Sequence, residues 1–326
     1  MKSVGILGTG SALPERVLTN QDLEKMVDTS DEWIVSRTGI RERRIADENT
    51  ASSDLASEAA RKAIENAGIS PRDIDLIICA TVTPDYMFPA TACLVQDRLG
   101  IEKTGAFDLS AGCSGFLYAL SCAVPMIQAG AIRNAVVIGV DLLSSITDYT
   151  DRNTCVLFGD GAGAVVIGEV PEGHGFLAFD IGSDGSGSQH LIQNYSGSRG
   201  RITPEVVVNK ENTIAMNGKE VFKFAVRVMN TATEEVLRKA GLHKEDIDLL
   251  IPHQANIRII DYARERLGLP EEKVVVNVNR YGNMSSASIP IALDEANRAG
   301  RLNGGDLLLL VGFGAGLTWG STLVRW

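Results

Sequence analysis

What the chain lacks narrows its class first. Basic residues are in deficit: 31 Lys and Arg stand against 41 Asp and Glu, a net charge of −10, with a pI near 5.0. A general nucleic-acid binder needs a basic footprint, so that class is set aside, although a few arginines can still cluster locally. The five cysteines, Cys79, Cys93, Cys113, Cys122 and Cys155, are odd in number and contain no C-x-x-C pair. That set argues against a disulfide framework or a zinc site and for reduced thiols in a cytoplasmic protein. Histidine is scarce, with four residues, and aromatic residues make up only 6%. The N-terminal apolar run ends at Pro14, Glu15 and Arg16 with no small-residue cleavage site, so no signal peptide is expected. Two stretches lack charge, 109–132 and 307–324, but glycines, serines and a proline interrupt them. They read as a helix buried on all sides and as a buried strand followed by a tight loop, not as membrane spans.

What is abundant is glycine, 33 of 326 residues, together with an apolar fraction of 44% and a charged fraction of 22%. This is the balance of a globular protein long enough to bury a sizeable core, with many tight turns or close backbone approaches. The chain also repeats itself. Residues 59–78, AARKAIENAGISPRDIDLII, and 232–251, ATEEVLRKAGLHKEDIDLLI, align with Gly68 over Gly241, Asp73 over Asp246 and Asp75 over Asp248, all 173 positions apart. The same offset pairs Gly139, after the apolar run 135–138, with Gly312, after the run 307–311. Each unit reads as an amphipathic helix, a glycine stop, a short turn and a buried strand. Two α/β halves are expected, 1–172 and 173–326, each with a mixed but mainly parallel sheet, stacked as α, β, α, β and α layers around buried helices. A Gly-, Ser- and Asn-rich excursion at 183–218 is expected to lie over a site.

Three residues stand where chemistry is expected. Cys113 in AFDLSAGCSGF sits at a strand-to-helix turn among Ser110, Gly112 and Gly115. There the unpaired amides at the helix start favour a thiolate or a developing oxyanion, a setting like a nucleophile elbow with cysteine in place of serine. For cysteines in general a small buried hydrophobe is the commoner role. His253 follows the apolar run 247–251 in IPHQAN, at the C-terminal strand end where open α/β sheets place their sites; a lone histidine there is otherwise a structural hydrogen-bonding group. A strand at 274–278 is expected to lead through Gly282 to Asn283, in an elbow that repeats the one at Cys113. Taken alone, Asn283 would be only a helix cap. The runs 158–164 and 312–316 are Gly-rich, but neither has the spacing of a phosphate-binding loop or a dinucleotide fingerprint.

Together DLSAGCSGF, FGDGAGA, PHQANIR, YGNMSSAS and FGAGLTWG, in that order across both halves, resemble the β-ketoacyl-[acyl carrier protein] synthase III family of the thiolase-like superfamily. The set Cys-His-Asn is similar to that of initiating condensing enzymes and of plant polyketide synthases, and the short chain and intact GNMSSAS favour the former. Thiolases would place a second cysteine, and elongating synthases a second histidine, at the third position. The resemblance implies a decarboxylative Claisen condensation. Cys113 would take an acyl group from acyl-CoA, a substrate and not a cofactor. His253 and Asn283 would donate to the thioester oxygen of malonyl-[acyl carrier protein] as CO2 leaves. The backbone amides of Cys113 and Ala315 would hold the oxyanion. Many family members have three glycines around position 315, and alanine serves there in a conformation open to a side chain. Thr29, Trp33, Arg37 and Arg152 match nucleotide-binding positions, and Gly218, Phe222, Ala255 and Asn256 match the pantetheine tunnel. Gln254, Ala255, Asn256, Ile257, Arg258 and Lys223 would face the carrier protein, with Arg227, Arg264 and Arg266 in support. Phe88, in DYMFPA, matches a residue given to the acyl pocket of a partner subunit, which implies a homodimer. No metal, nucleic acid or membrane is implied. A non-condensing acyltransferase or thioesterase, a non-catalytic partner subunit and a 3-hydroxy-3-methylglutaryl-CoA synthase share the fold. The first two fit poorly with an intact Cys113, His253 and Asn283, and the third requires an acidic residue that no glutamate beside the elbows supplies. A papain-like hydrolase lacks the motif setting found here.

Overall fold

The computed structural model describes residues 2–326. The first sheet takes its strands from the first half: β1 (Val4–Ala12), β2 (Leu76–Ala80), β3 (Gly105–Leu109), β4 (Ala135–Leu142) and β5 (Asp160–Glu169), in the order β1-β5-β4-β2-β3. The second takes its strands from the other half: β6 (Gly175–Ser183), β7 (Leu249–Pro252), β8 (Leu307–Gly314) and β9 (Thr318–Arg325), in the order β7-β8-β9-β6. Both sheets are mixed. Parallel pairing is confined to β2–β3, β2–β4 and β7–β8, while β1–β5, β4–β5, β8–β9 and β6–β9 run antiparallel. The helix-strand alternation therefore overstated the parallel share. The closing strands of each half return directly beside their neighbours and need no helical crossover.

Five layers follow from which faces are apolar. The helix α1 (Ser52–Ala67) packs Leu55, Ala59, Ala63 and Ile64 on Ile77, Ile138 and Val140 of the first sheet's outer face. The helix α2 (Gly115–Gln128) is the uncharged stretch, and with α3 of the inner layer (Ser288–Arg298) it fills the space between the sheets. Of the two, only α2 is apolar almost throughout, and it is not buried on every side as expected, because Cys122, Pro125 and Met126 reach the surface; α3 is amphipathic and carries Asp294, Glu295 and Arg298. On the far side, Phe224, Val228 and Val236 of helix Gly218–Ala240 and Ile260 of helix Ile257–Leu267 cover the second sheet. The run Leu307–Val311 shows why a two-faced strand reads as a continuous apolar segment. Leu308 and Leu310 face the inner helices, while Leu307, Leu309 and Val311 face the outer ones.

The repeat is visible in matching details. Helices 52–67 and 218–240 both stop at a left-handed glycine, Gly68 at φ +68° and Gly241 at φ +67°. The short turns Gly112–Ser114 and Ser285–Ala287 lead directly into α2 and α3. The expected strand at 274–278 is reduced to one parallel bridge, Val274 to Leu250, before a short helix at Val278–Tyr281. Gln254 takes the backbone amides of Asn277 and Val278 with its side chain, which ends pairing there. The excursion forms a two-stranded ribbon, Leu191–Gln193 with Ile214–Met216, and a short helix at Pro204–Val208. Among the described residues, no helix is long and apolar enough to cross a membrane.

Candidate active site

Cys113, His253 and Asn283 line one cavity of about 510 Å3. Each arrives from a different element. Cys113 follows β3 on the turn that opens α2 and is 7% exposed. Gly112 takes φ +54°, and a Cβ there would come 2.7 Å from the Ala315 nitrogen. A Cβ on Gly314 would stand 2.3 Å from the Cys113 nitrogen. These two glycines let the end of β8 lie directly against the cysteine's backbone. Thr318 Oγ1 secures this contact, 2.8 Å from Ser114 Oγ and 2.9 Å from the carbonyl oxygens of Ala111 and Ala315. Ala315 is not among the residues with positive φ, so its side chain meets no backbone strain.

His253 leaves the end of β7, and its amide donates to Val311 O at 2.8 Å. The ring is 1% exposed and the Phe313 ring meets it edge-on at 5.5 Å. Nδ1 lies 2.6 Å from Ser288 Oγ, while Nε2 is buried with no hydrogen-bond partner. Asn283 is fixed by its neighbours: its amide donates to Leu157 O at 2.8 Å and its Oδ1 accepts the Ser285 amide at 2.8 Å. With Oδ1 occupied, the two hydrogens of Nδ2 remain to face the cavity.

Burial sets the charge state of this pair of reactive groups. It pushes the Cys113 thiol up to about 12 and holds the His253 imidazole down to about 3. Both groups are therefore neutral near pH 7, in contrast to the thiolate expected from a helix start. Desolvation is the largest cause in each. A second, apolar cavity of about 150 Å3 adjoins Cys113, lined by Val82, Leu143, Ile146, Phe158, Leu191 and Ile214 among others. The excursion thus covers the site, supplying Leu191 and Ile214.

The cavity mouth is basic although the protein is acidic. Arg37, Lys219, Lys223 and Arg258 line the cavity and no Asp or Glu does, although Lys223 pairs with Glu220 at 2.8 Å. Gly39 explains how two of these meet. A Cβ at Gly39 would come 2.6 Å from Ile257 Cβ, so only glycine lets helix Asp31–Thr38 end against the 257–267 helix. Asn256 then donates to Arg37 O at 3.0 Å, and Arg258 stacks over Phe222 at 5.5 Å.

Models of 3-oxoacyl-[acyl-carrier-protein] synthase III match residues 107–185 and, as its C-terminal part, residues 237–326. The β-ketoacyl-[acyl-carrier-protein] synthase III of Symbiobacterium thermophilum is 59% identical over 326 residues, covering 100% of this chain and 99% of that protein. The enzyme of the same name from Caldanaerobacter subterraneus is 57% identical, covering 99% and 98%. The solved synthase III structure from Thermus thermophilus superposes with a TM-score of 0.92 at 52% identity, covering 99% of each chain.

The chain belongs to the β-ketoacyl-[acyl carrier protein] synthase III family. It is an acyltransferase, an initiating condensing enzyme of fatty-acid synthesis with a thiolase-like fold.

Most residues that the resemblance had singled out in this synthase lie along the cavity: Trp33, Arg37, Gly218, Phe222, Lys223, Ala255, Asn256 and Arg258. Arg152 stacks on Trp33 at 5.1 Å and donates to Asp28 O at 3.0 Å. Thr29 Oγ1, close to them in sequence, is buried without a partner. Ile257 is half-buried on Gly39. One assignment needs correction. Gln254 is 0% exposed, and its amide donates to Pro252 O and Val275 O while its oxygen accepts two backbone amides, so its side chain cannot meet a carrier protein. Arg227, Arg264 and Arg266 do not line the cavity; Arg227 lies over Phe224, and Arg264 sits between Asp261 and Glu265. Phe88 is 86% exposed and lines neither cavity of its own chain.

Three residues of the site were given no role from the sequence. Phe313 and Ser288 stand inside FGAGLTWG and YGNMSSAS but meet His253 only through folding, and Asp141, 0% exposed, bridges the halves. Its carboxylate accepts from Val82 N at 2.7 Å and from Ser286 N and Oγ at 3.1 and 2.8 Å.

Proposed function

We propose that this synthase condenses a short acyl-CoA primer with malonyl-[acyl carrier protein] through an acyl-Cys113 intermediate. The observation that carries the reading is the convergence of a cysteine at a helix start with two neutral, oriented donors on one cavity. Cys113 Sγ attacks the primer's thioester carbonyl and its proton ends on the departing CoA sulfur, with the oxyanion held by the amides of Cys113 and Ala315. The carbonyl re-forms, CoA leaves as its thiol, and the acyl chain lies in the small apolar cavity. The malonyl thioester then occupies the same tunnel. His253 and Asn283 donate to its carbonyl oxygen, so the electron pair released with CO2 is spread onto a stabilised enolate. That carbon attacks the acyl-Cys113 carbonyl, and the thiolate departs. A neutral histidine suits a donor that must not surrender its proton.

Trp33, Arg152, Thr29 and Arg37 hold the CoA nucleotide, and Gly218, Phe222, Ala255 and Asn256 the pantetheine arm. Arg258 and Lys223, flanked by Ala255, Asn256 and Ile257, face the acidic carrier protein; the acid-free cavity lining supports this. No cofactor is needed. The N-terminal half, 1–172, supplies the nucleophile, and the C-terminal half, 173–326, the decarboxylating pair. The protein acts as a cytoplasmic homodimer, for which the support is five free thiols and the exposed run Tyr86, Met87 and Phe88.

Intact-protein mass after incubation with a panel of acyl-CoAs, without malonyl donor, tests the reading. One acyl adduct is expected in the native protein and none in Cys113→Ala. No adduct in the native protein, or an adduct that persists in the variant, overturns it.

A further inference from the structure

The His253 ring reaches the cavity through Nε2 and the protein through Nδ1, and the state of the second decides the first. Ser288 stands at the start of α3, fully buried, with Oγ 2.6 Å from Nδ1. That oxygen also receives the Gln254 amide at 3.4 Å. Among the hydrogen bonds of the described residues, the Ser288 hydroxyl has no other acceptor for its own proton than Nδ1. Were the ring proton on Nδ1, both groups would be donors and the hydroxyl proton would be buried without a partner.

We infer that Ser288 donates to Nδ1 and thereby holds the imidazole proton on Nε2, facing the cavity. Ser288 is a positioning residue for the donor that His253 presents to the thioester oxygen. The inference rests on the decarboxylating role proposed for His253. The orphaned Nε2 then has a purpose, since a buried donor without a partner is a donor awaiting a substrate oxygen.

The four histidines make the test direct. Nitrogen-15 labelling of histidine distinguishes protonated from bare ring nitrogens, and the His253 signals are assigned by their loss in His253→Gln. In the native protein the expected pattern is a protonated Nε2 and a bare Nδ1. In Ser288→Ala the proton spreads to Nδ1, and malonyl-thioester decarboxylation falls roughly 10- to 100-fold. Acyl transfer to Cys113 from acyl-CoA, followed in parallel, falls far less than decarboxylation and reports that the site is still folded. Ser288→Thr, which keeps the hydroxyl, restores both the tautomer and decarboxylation. A native ring protonated on Nδ1 overturns the inference, even if the alanine variant fails to fold. So does a Ser288→Ala protein that keeps both the Nε2 proton and the native decarboxylation rate. Absence of any acyl adduct in the native protein overturns the proposed function instead, and leaves the tautomer to decide the role of Ser288.

Discussion

Gly112 and Ser285 adopt the same left-handed backbone, φ +54° and +47°, at the two turns that lead into α2 and α3 and face each other across the inner layer. The residue after each, Cys113 and Ser286, opens toward opposite fates. Cys113 borders the cavity. Ser286, 173 positions later, turns inward, with its hydroxyl 2.8 Å from Ala80 O and 2.8 Å from Asp141 Oδ2, and its amide 3.1 Å from the same carboxylate. The counterpart of Asp141 at that offset is Gly314, which lies against the Cys113 amide with no side chain. A helix start attracts negative charge at both turns. At one the protein supplies its own carboxylate; at the other Gly314 presents no side chain, and under the proposed mechanism the place is taken by a substrate oxygen.

Three experiments probe that contrast. Gly314→Ala puts a methyl group 2.3 Å from the Cys113 nitrogen, where backbone has to move. Condensation is expected to fall by about 100-fold or more, with a stability loss of roughly 1–3 kcal/mol, read by turnover and thermal melting. Full turnover would break the comparison. Asp141→Asn turns an all-accepting group into one that meets the Val82 or Ser286 amide with its own N–H. A loss of roughly 2–4 kcal/mol is expected in denaturant unfolding, while the folded fraction still acylates Cys113. The mildest probe is pH. A thiol pushed up to about 12 presents a thiolate fraction that grows about tenfold per pH unit, so acylation should climb without a plateau from pH 6.5 to 9. Decarboxylation should stay flat over that range, because His253, held down to about 3, is neutral throughout. An acylation plateau below pH 8 would mean that substrate binding leaves the thiol far more acidic than burial alone allows.

Local signals carried much of this into the sequence, and facing directions did not. The 173-residue repeat was legible because Gly68 and Gly241 each end a helix in a conformation that favours glycine, and Cys113 and His253 because each sits where a strand gives way to a helix or loop; Asn283 was legible by its likeness to the Cys113 turn, although a short helix precedes it. Gln254 was misplaced because nothing in PHQANIR tells which neighbour of His253 turns inward; the answer lies in backbone amides at 277 and 278, brought near by folding. The apolar run at 274–278 has strand composition but finds one bridge. The roles of Ser288 and Asp141 were illegible for the same reason, since each acquires its role only from what folding places beside it, His253 for one and Ser286 of the opposite half for the other.

The cavity that runs from Trp33 and Arg258 to Cys113 has one further consequence. Under the proposed sequence of steps both thioesters travel it, so the two substrates are successive tenants of one corridor. The departing CoA must clear the passage before the carrier's arm can enter, and free CoA that returns delays the second half of the reaction.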